Sequence, residues 1–150
     1  MKPTHVILLV EDNPADIKIT ERALRESAMP VQLIAARDGQ EALEYLQQSG
    51  AQAGNQEWRR PDLILLDLNL PRLSGQEVLR RVRAMKAFRT LPVIVLTTSR
   101  REEDIQDMYA AGANTYFEKP ADFDRFIEVL RTIKRYWLDM ALLPPAQSSS

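Results

Sequence analysis

The stretch "LILLDLNLPRLSG", residues 63–75, decides the fold. Leu63 to Leu66 and then Leu68 are strand material, interrupted by one acid, Asp67. Burying an unpaired carboxylate is costly, and aspartate is among the residues least often fully enclosed. A strand that is apolar on both faces belongs to a parallel sheet covered on both sides. In such a sheet the carboxyl ends of the strands are where ligands bind. Asp67 therefore reads as an acid delivered to a functional rim by a buried strand.

The rest of the chain fits that frame. Further strand-like runs occur at 5–10 (HVILLV), 31–35 (VQLIA), 92–97 (PVIVLT) and 115–118 (TYFE). Between them lie amphipathic helical patterns, marked by Ile17, Ala23 and Leu24, then Ala42, Leu43 and Leu46, then Val78, Leu79, Val82 and Met85. The fourth is marked by Ile105, Met108 and Tyr109. The fifth and longest carries Phe123, Phe126, Ile127, Leu130, Ile133 and Trp137 at three-four spacing. Asn13-Pro14-Ala15-Asp16 reads as a helix start with a capping side chain and an early acid. Ser99 with Glu102 has capping-box spacing, and Gly112 suits a helix end. Strands alternating with helices imply an α/β domain with right-handed crossovers. Residues 49–61 read as a long irregular connection. The domain is expected over 1–143, with an extended last helix and a flexible tail at 144–150.

Composition narrows the function. The chain has 150 residues, one domain's worth, with 45% hydrophobic and 27% charged residues and a net charge of −1. That balance argues against nucleic-acid binding and against a polybasic membrane contact. With no cysteine, disulfides, thiolate catalysis and cysteine-ligated metals are excluded. The first apolar run is too short for a signal peptide, and no stretch approaches a membrane span, so a cytoplasmic location is expected. His5, the lone histidine, reads as structural or solvated, Trp58 as packed in its loop, and Arg80, Arg81 and Arg83 as a solvated helix face.

If the strands are ordered 2-1-3-4-5, the first and third flank the point where strand order reverses. Glu11 and Asp12 then face Asp67 across that point, while Thr97 and Lys119 arrive from the fourth and fifth strands. Singly, each has an ordinary reading as a loop acid, a strand threonine or a surface lysine. Jointly, four strand ends would have to coincide. Three crowded carboxylates repel unless a cation joins them, and a hard divalent ion such as Mg²⁺ suits carboxylates together with phosphate oxygens.

The ordered set "LLVEDNP", "LILLDLNLPRLSG", "VIVLTTS" and "YFEKP" resembles the receiver domain of two-component response regulators, over about residues 5 to 135. The resemblance implies a flavodoxin-like, doubly wound (βα)5 parallel sheet. It implies Asp67 as phosphoacceptor for a phosphoryl group from the histidine of a sensor kinase. It implies Mg²⁺, with Mn²⁺ as an alternative, held by Asp12, Asp67 and the backbone carbonyl of Asn69, with Glu11 acting through water. Lys119 would pair with a phosphoryl oxygen, Thr97 would donate its hydroxyl, and Tyr116 would turn inward as the coupled switch. Pro120 would follow a cis peptide, and Gly75 would let the loop turn into the third helix. The chain would be a signalling receiver, not a turnover enzyme, catalysing only its own aspartyl phosphorylation and dephosphorylation.

There are departures. Thr98 stands where the family often has alanine or glycine, and is expected to narrow access and slow phosphoryl loss. The chain ends about where an output domain would begin, so a stand-alone receiver signalling through a protein surface is expected. Val129, Tyr136, Met140 and Leu143 are surplus apolar residues on or after the last helix. The family often pairs through the fourth helix, fifth strand and fifth helix, so a homodimer is expected. The "YWLDMALLP" ending and the longer loop are similar to response regulators partnered with bacterial phytochromes. Two alternatives stay open: a degenerate receiver acting as an adaptor without phosphorylation, and a flavodoxin-like phosphotransfer enzyme. The latter lacks a glycine-rich phosphate loop after the first strand, and an aspartyl phosphatase would want a second aspartate at Asn69.

Overall fold

A computed structural model describes residues 5–25, 30–51 and 58–145. Five parallel strands, β1 (His5–Val10), β2 (Val31–Ala36), β3 (Leu63–Leu66), β4 (Val93–Thr97) and β5 (Thr115–Glu118), form one sheet in the order β2-β1-β3-β4-β5. The helices are α1 (Pro14–Arg25), α2 (Gly39–Ala51), α3 (Gly75–Ala84), α4 (Glu102–Ala111) and α5 (Phe123–Lys134). The doubly wound order read from the sequence is the one observed.

Two cores follow from the two-residue period of the strands. Leu8, Val10, Ile64, Leu66, Val93 and Val95 point to one face and meet Leu43, Leu46, Val78, Leu79 and Met108. Ile7, Leu9, Leu63, Leu65, Ile94 and Leu96 point to the other and meet Ile17, Leu24, Phe126, Ile127 and Leu130. Both faces of β1, β3 and β4 are therefore dry, which is why these strands are nearly continuous in Val, Ile and Leu. Register then fixes the rim: Val10 pairs with Leu66, Leu66 with Val95 and Thr97 with Glu118. The residues that follow these strands emerge side by side.

Helix starts obey local chemistry. The Asn13 side-chain oxygen accepts from the N–H groups of Ala15 (2.9 Å) and Asp16 (3.4 Å), as its place before Pro14 led one to expect. Ser74 caps α3 through the Glu77 N–H at 3.2 Å. Gly112 closes α4 with φ of 113°.

Several readings are corrected. Ser99 is not the cap of α4; Arg101 occupies that position, and the Ser99 hydroxyl donates to Asp104 at 2.5 Å. Residues 49–51 continue α2, so the irregular connection is shorter than 49–61. Its residues 52–57, and the tail 146–150, lie outside the described residues. Phe123 is exposed, because α5 turns its first residue away from the sheet, and Tyr109 is exposed on α4. Met85 caps α3 from outside the helix.

Arg83 is no solvated residue. Its guanidinium donates to the carbonyls of Phe88 (3.1 Å), Leu91 (2.7 Å) and Gly112 (2.7 Å) and to the Asn114 side chain (3.0 Å). It thereby ties α3 to the turns before β4 and after α4. Arg80 and Arg81 are exposed as read. Beyond α5 the chain continues in a π-helical segment, Arg135–Met140, from which Leu138 packs into the second core. Trp58 packs against Tyr45, ring centroids 5.5 Å apart. No helix among the described residues is long and apolar enough to cross a membrane.

Candidate phosphoacceptor site

Asp67 is the first residue past β3, and its N–H still donates to the Val10 carbonyl at 3.1 Å. The hydrogen-bonded ladder therefore fixes its backbone, while its side chain lies at the rim. The loop folds back immediately behind it: the Gly75 N–H donates to Leu68 at 2.9 Å. A Cβ at Gly75 would lie 2.4 Å from the Asp67 carbonyl oxygen and 2.8 Å from Leu68 Cα. Gly75 is thus required by close approach to the acceptor's own backbone. A left-handed turn is not the reason, since Arg72 is the described non-glycine residue with positive φ in this loop, at 70°.

Glu11, Asp12 and Asp67 form one cluster, with a carboxylate oxygen from each within 4.8 Å of the others. Glu11 and Asp67 are buried and Asp12 is exposed. Lys119 reaches into the cluster from the end of β5. Its ammonium donates to Asp67 Oδ2 at 3.0 Å, to Asp16 Oδ2 at 2.9 Å and to Glu11 Oε1 in a very short contact. The Lys119 N–H donates to the Thr97 carbonyl at 2.7 Å, so the β4–β5 ladder positions it.

The electrostatics show what the cluster lacks. Burial pushes the Glu11 carboxyl up to about 7; Lys119 opposes this and the charge of Asp67 adds to it. Burial alone would pull the Lys119 ammonium down, yet its bonds to Glu11 and Asp16 and the charge of Asp67 hold it above the ordinary lysine range. One ammonium faces four carboxylates, leaving negative charge uncompensated. Hard oxygen donors so placed fit a divalent cation of the Mg²⁺ or Mn²⁺ kind.

Thr97 is wholly buried, and its hydroxyl has no hydrogen-bond partner among the described residues. A buried orphan hydroxyl is unfavourable and calls for an acceptor. The Tyr116 hydroxyl donates to the Ser99 carbonyl at 2.9 Å, and its ring packs half-buried against the first core. Thr98 is exposed and borders, with Asn13, Asp16 and Phe123, a groove of about 1190 Å³ beside Lys119. The Asn69 N–H donates to Asp67 Oδ1 at 3.3 Å.

Pro120 is corrected: no described peptide bond is cis. The cis form of an X-Pro bond is the less favoured one, by about 0.5–1 kcal/mol, and the trans bond here is the ordinary isomer. Asp16 is the participant that the sequence reading left among helix-start residues. Its third-residue position in α1 gave no sign of Lys119, which is 103 residues away.

A five-stranded parallel sheet in this order, with three acids and a lysine gathered at the switch point, defines a receiver domain. The comparisons agree, and the chain belongs to the response regulator receiver domain family, whose sequence profile matches residues 7–131. It is 39% identical over 144 residues to response regulator Rcp1 of Synechocystis sp., covering 96% of each chain. It is similar to the phosphorylated cyanobacterial phytochrome response regulator RcpA, with 42% identity and a TM-score of 0.86 over 94% of this chain and 99% of that one. The Mn²⁺-bound form of Rcp1 superposes with a TM-score of 0.84 at 38% identity, over 94% and 99% of the two chains.

Proposed function

We propose that this receiver accepts a phosphoryl group on Asp67 from the phosphohistidine of a sensor kinase, in a reaction requiring a divalent cation, Mg²⁺ by preference. The observation that carries the reading is the Asp67 carboxylate bonded to Lys119 at the end of β3, with a buried Thr97 hydroxyl that has no partner among the described residues at the end of the neighbouring strand β4. An Asp67 oxygen attacks phosphorus, the new O–P bond forms, and the N–P bond to the donor imidazole breaks. Lys119 and Thr97 then bind two of the phosphoryl oxygens. Phosphoryl transfer asks mainly for positioning and charge stabilisation, and rigid strand ends supply both.

Asp12, Asp67 and the Asn69 carbonyl would hold the cation. Glu11 already spends one oxygen on Lys119 and the other on the Asn13 N–H at 3.1 Å, which favours contact through water. A bound divalent ion would neutralise the acid cluster and the incoming phosphoryl charge. The output runs along β4. Once Thr97 bonds the phosphoryl group, the turn at Ser99 moves and Tyr116 loses or shifts its anchor there.

The similarity to RcpA, a phytochrome response regulator, supports a phytochrome-type kinase as donor. The expected result is rapid transfer from such a kinase in Mg²⁺ and none after chelation. Transfer that survives chelation unchanged would refute the cation requirement, and no transfer from any kinase would favour the adaptor alternative.

We also infer a homodimer through α4, β5 and α5. The support is an edge strand beside exposed Tyr109, with Tyr136 and Met140 just beyond at 55% and 66% exposure. Val129 and Leu143, by contrast, are drawn partly into the second core. Sedimentation equilibrium should give a dimer that Tyr136→Glu weakens at least about tenfold, as burying a charge in an apolar contact requires. A monomer at all concentrations would remove this inference.

A further inference from the structure

Lys119 donates to three carboxylates, and an ammonium has only three N–H bonds to give. Two of its acceptors, Glu11 and Asp67, belong to the acid cluster that fits a divalent cation. Asp16 does not. It stands in the first turn of α1, and its side chain is 20% exposed against 4% for Glu11 and 9% for Asp67. It reaches Lys119 from the side of the groove that both residues line.

We propose that Asp16 is a positioning residue for phosphoryl transfer, holding Lys119 at the acceptor through a bond that the cation and the phosphoryl group do not contest. The inference rests on Asp67 being the acceptor. As a divalent ion draws on Asp67 directly and on Glu11 through water, two of the three bonds to Lys119 weaken together. A lysine is a compact charge on a flexible stem. Without a third anchor it is free to turn toward the groove, away from the position a phosphoryl oxygen will occupy. Asp16 closes that direction. Its alternative duty, as an acid at a helix start, is already shared with the Asn13 cap and needs no contact with Lys119.

The test compares wild type, Asp16→Ser and Asp16→Asn. Serine suits a helix start but is too short to reach Lys119, whereas asparagine keeps an oxygen acceptor in place. With acetyl phosphate as donor at saturating Mg²⁺, Asp16→Ser should be phosphorylated about tenfold or more slowly, the scale on which misplaced catalytic groups are felt. Asp16→Asn should recover to within about threefold, because it restores the bond without the charge.

A second readout needs neither cation nor donor. In metal-free protein the Lys119 ammonium should give a ¹H–¹⁵N correlation protected by its three bonds. That signal should weaken or vanish in Asp16→Ser and persist in Asp16→Asn. Unchanged rate and unchanged signal in Asp16→Ser would overturn the proposal for Asp16 alone. Failure of wild type to be phosphorylated would overturn the reading of Asp67 beneath it.

Discussion

Asp67→Asn is expected to leave the fold intact and to lower phosphoryl acceptance by at least about three orders of magnitude, the scale on which loss of a nucleophile is felt. The two side chains have nearly the same shape, so no cavity opens at the end of β3. The backbone bond from residue 67 to Val10 is untouched, and the asparagine oxygen can still accept from Lys119. What disappears is the charged oxygen that attacks phosphorus. Removing one of the crowded acids also relieves its repulsion of Glu11, so stability should be unchanged or slightly higher. Radiolabel transfer from a phosphorylated kinase measures the first effect and urea unfolding the second. A variant that labels at the wild-type rate would move the acceptor elsewhere.

Gly75→Ala should be the most damaging single-methyl change near the site, costing about 3 kcal/mol, at the upper end of what overpacking usually costs. The added methyl would meet the Asp67 carbonyl oxygen at 2.4 Å and Leu68 Cα at 2.8 Å. Both are backbone atoms and cannot rotate away. Relief requires moving either the start of α3 or the segment that carries Asp67, so phosphoryl acceptance should fall with stability. Gly50→Ala is the control. There the methyl meets only the Phe88 ring, at 3.6 and 3.7 Å, within helix α2. Alanine in a helix is favoured over glycine by up to about 1 kcal/mol, so this variant should be neutral or stabilised. Urea midpoints at constant m-value separate the two cases. Equal midpoints would mean that the loop behind Asp67 is not tightly packed.

The sheet was legible because its strands obey one rule, apolar on both faces, and because acids interrupt that rule only at the rim. Asp67, Glu11, Asp12, Thr97 and Lys119 could be found by following each strand to its end. Asp16 and Arg83 could not, since each makes its contacts outside its own helix, to Lys119 and to Phe88, Leu91, Gly112 and Asn114, from a helix whose own pattern gives it a sufficient local reason to be there. An acid in the first turn and an arginine on an outer face look ordinary until the neighbouring element is in place. Ser99 shows the converse. Its spacing to Glu102 satisfies a local capping rule, but the hydroxyl finds Asp104 and the turn is arranged around Tyr116. The Lys119–Pro120 bond is trans, where the family resemblance alone implied a cis peptide.

The most direct test of the account is chemical mapping of the phosphoryl group. Phosphorylated protein is reduced with borohydride, which converts an acyl phosphate to the corresponding alcohol, and the product is sequenced by tandem mass spectrometry. The account predicts homoserine at position 67 in samples phosphorylated with Mg²⁺ and its absence in chelated controls. Modification at Asp12, Glu11 or Asp16 in place of Asp67, or none in protein that has taken up label, would contradict it.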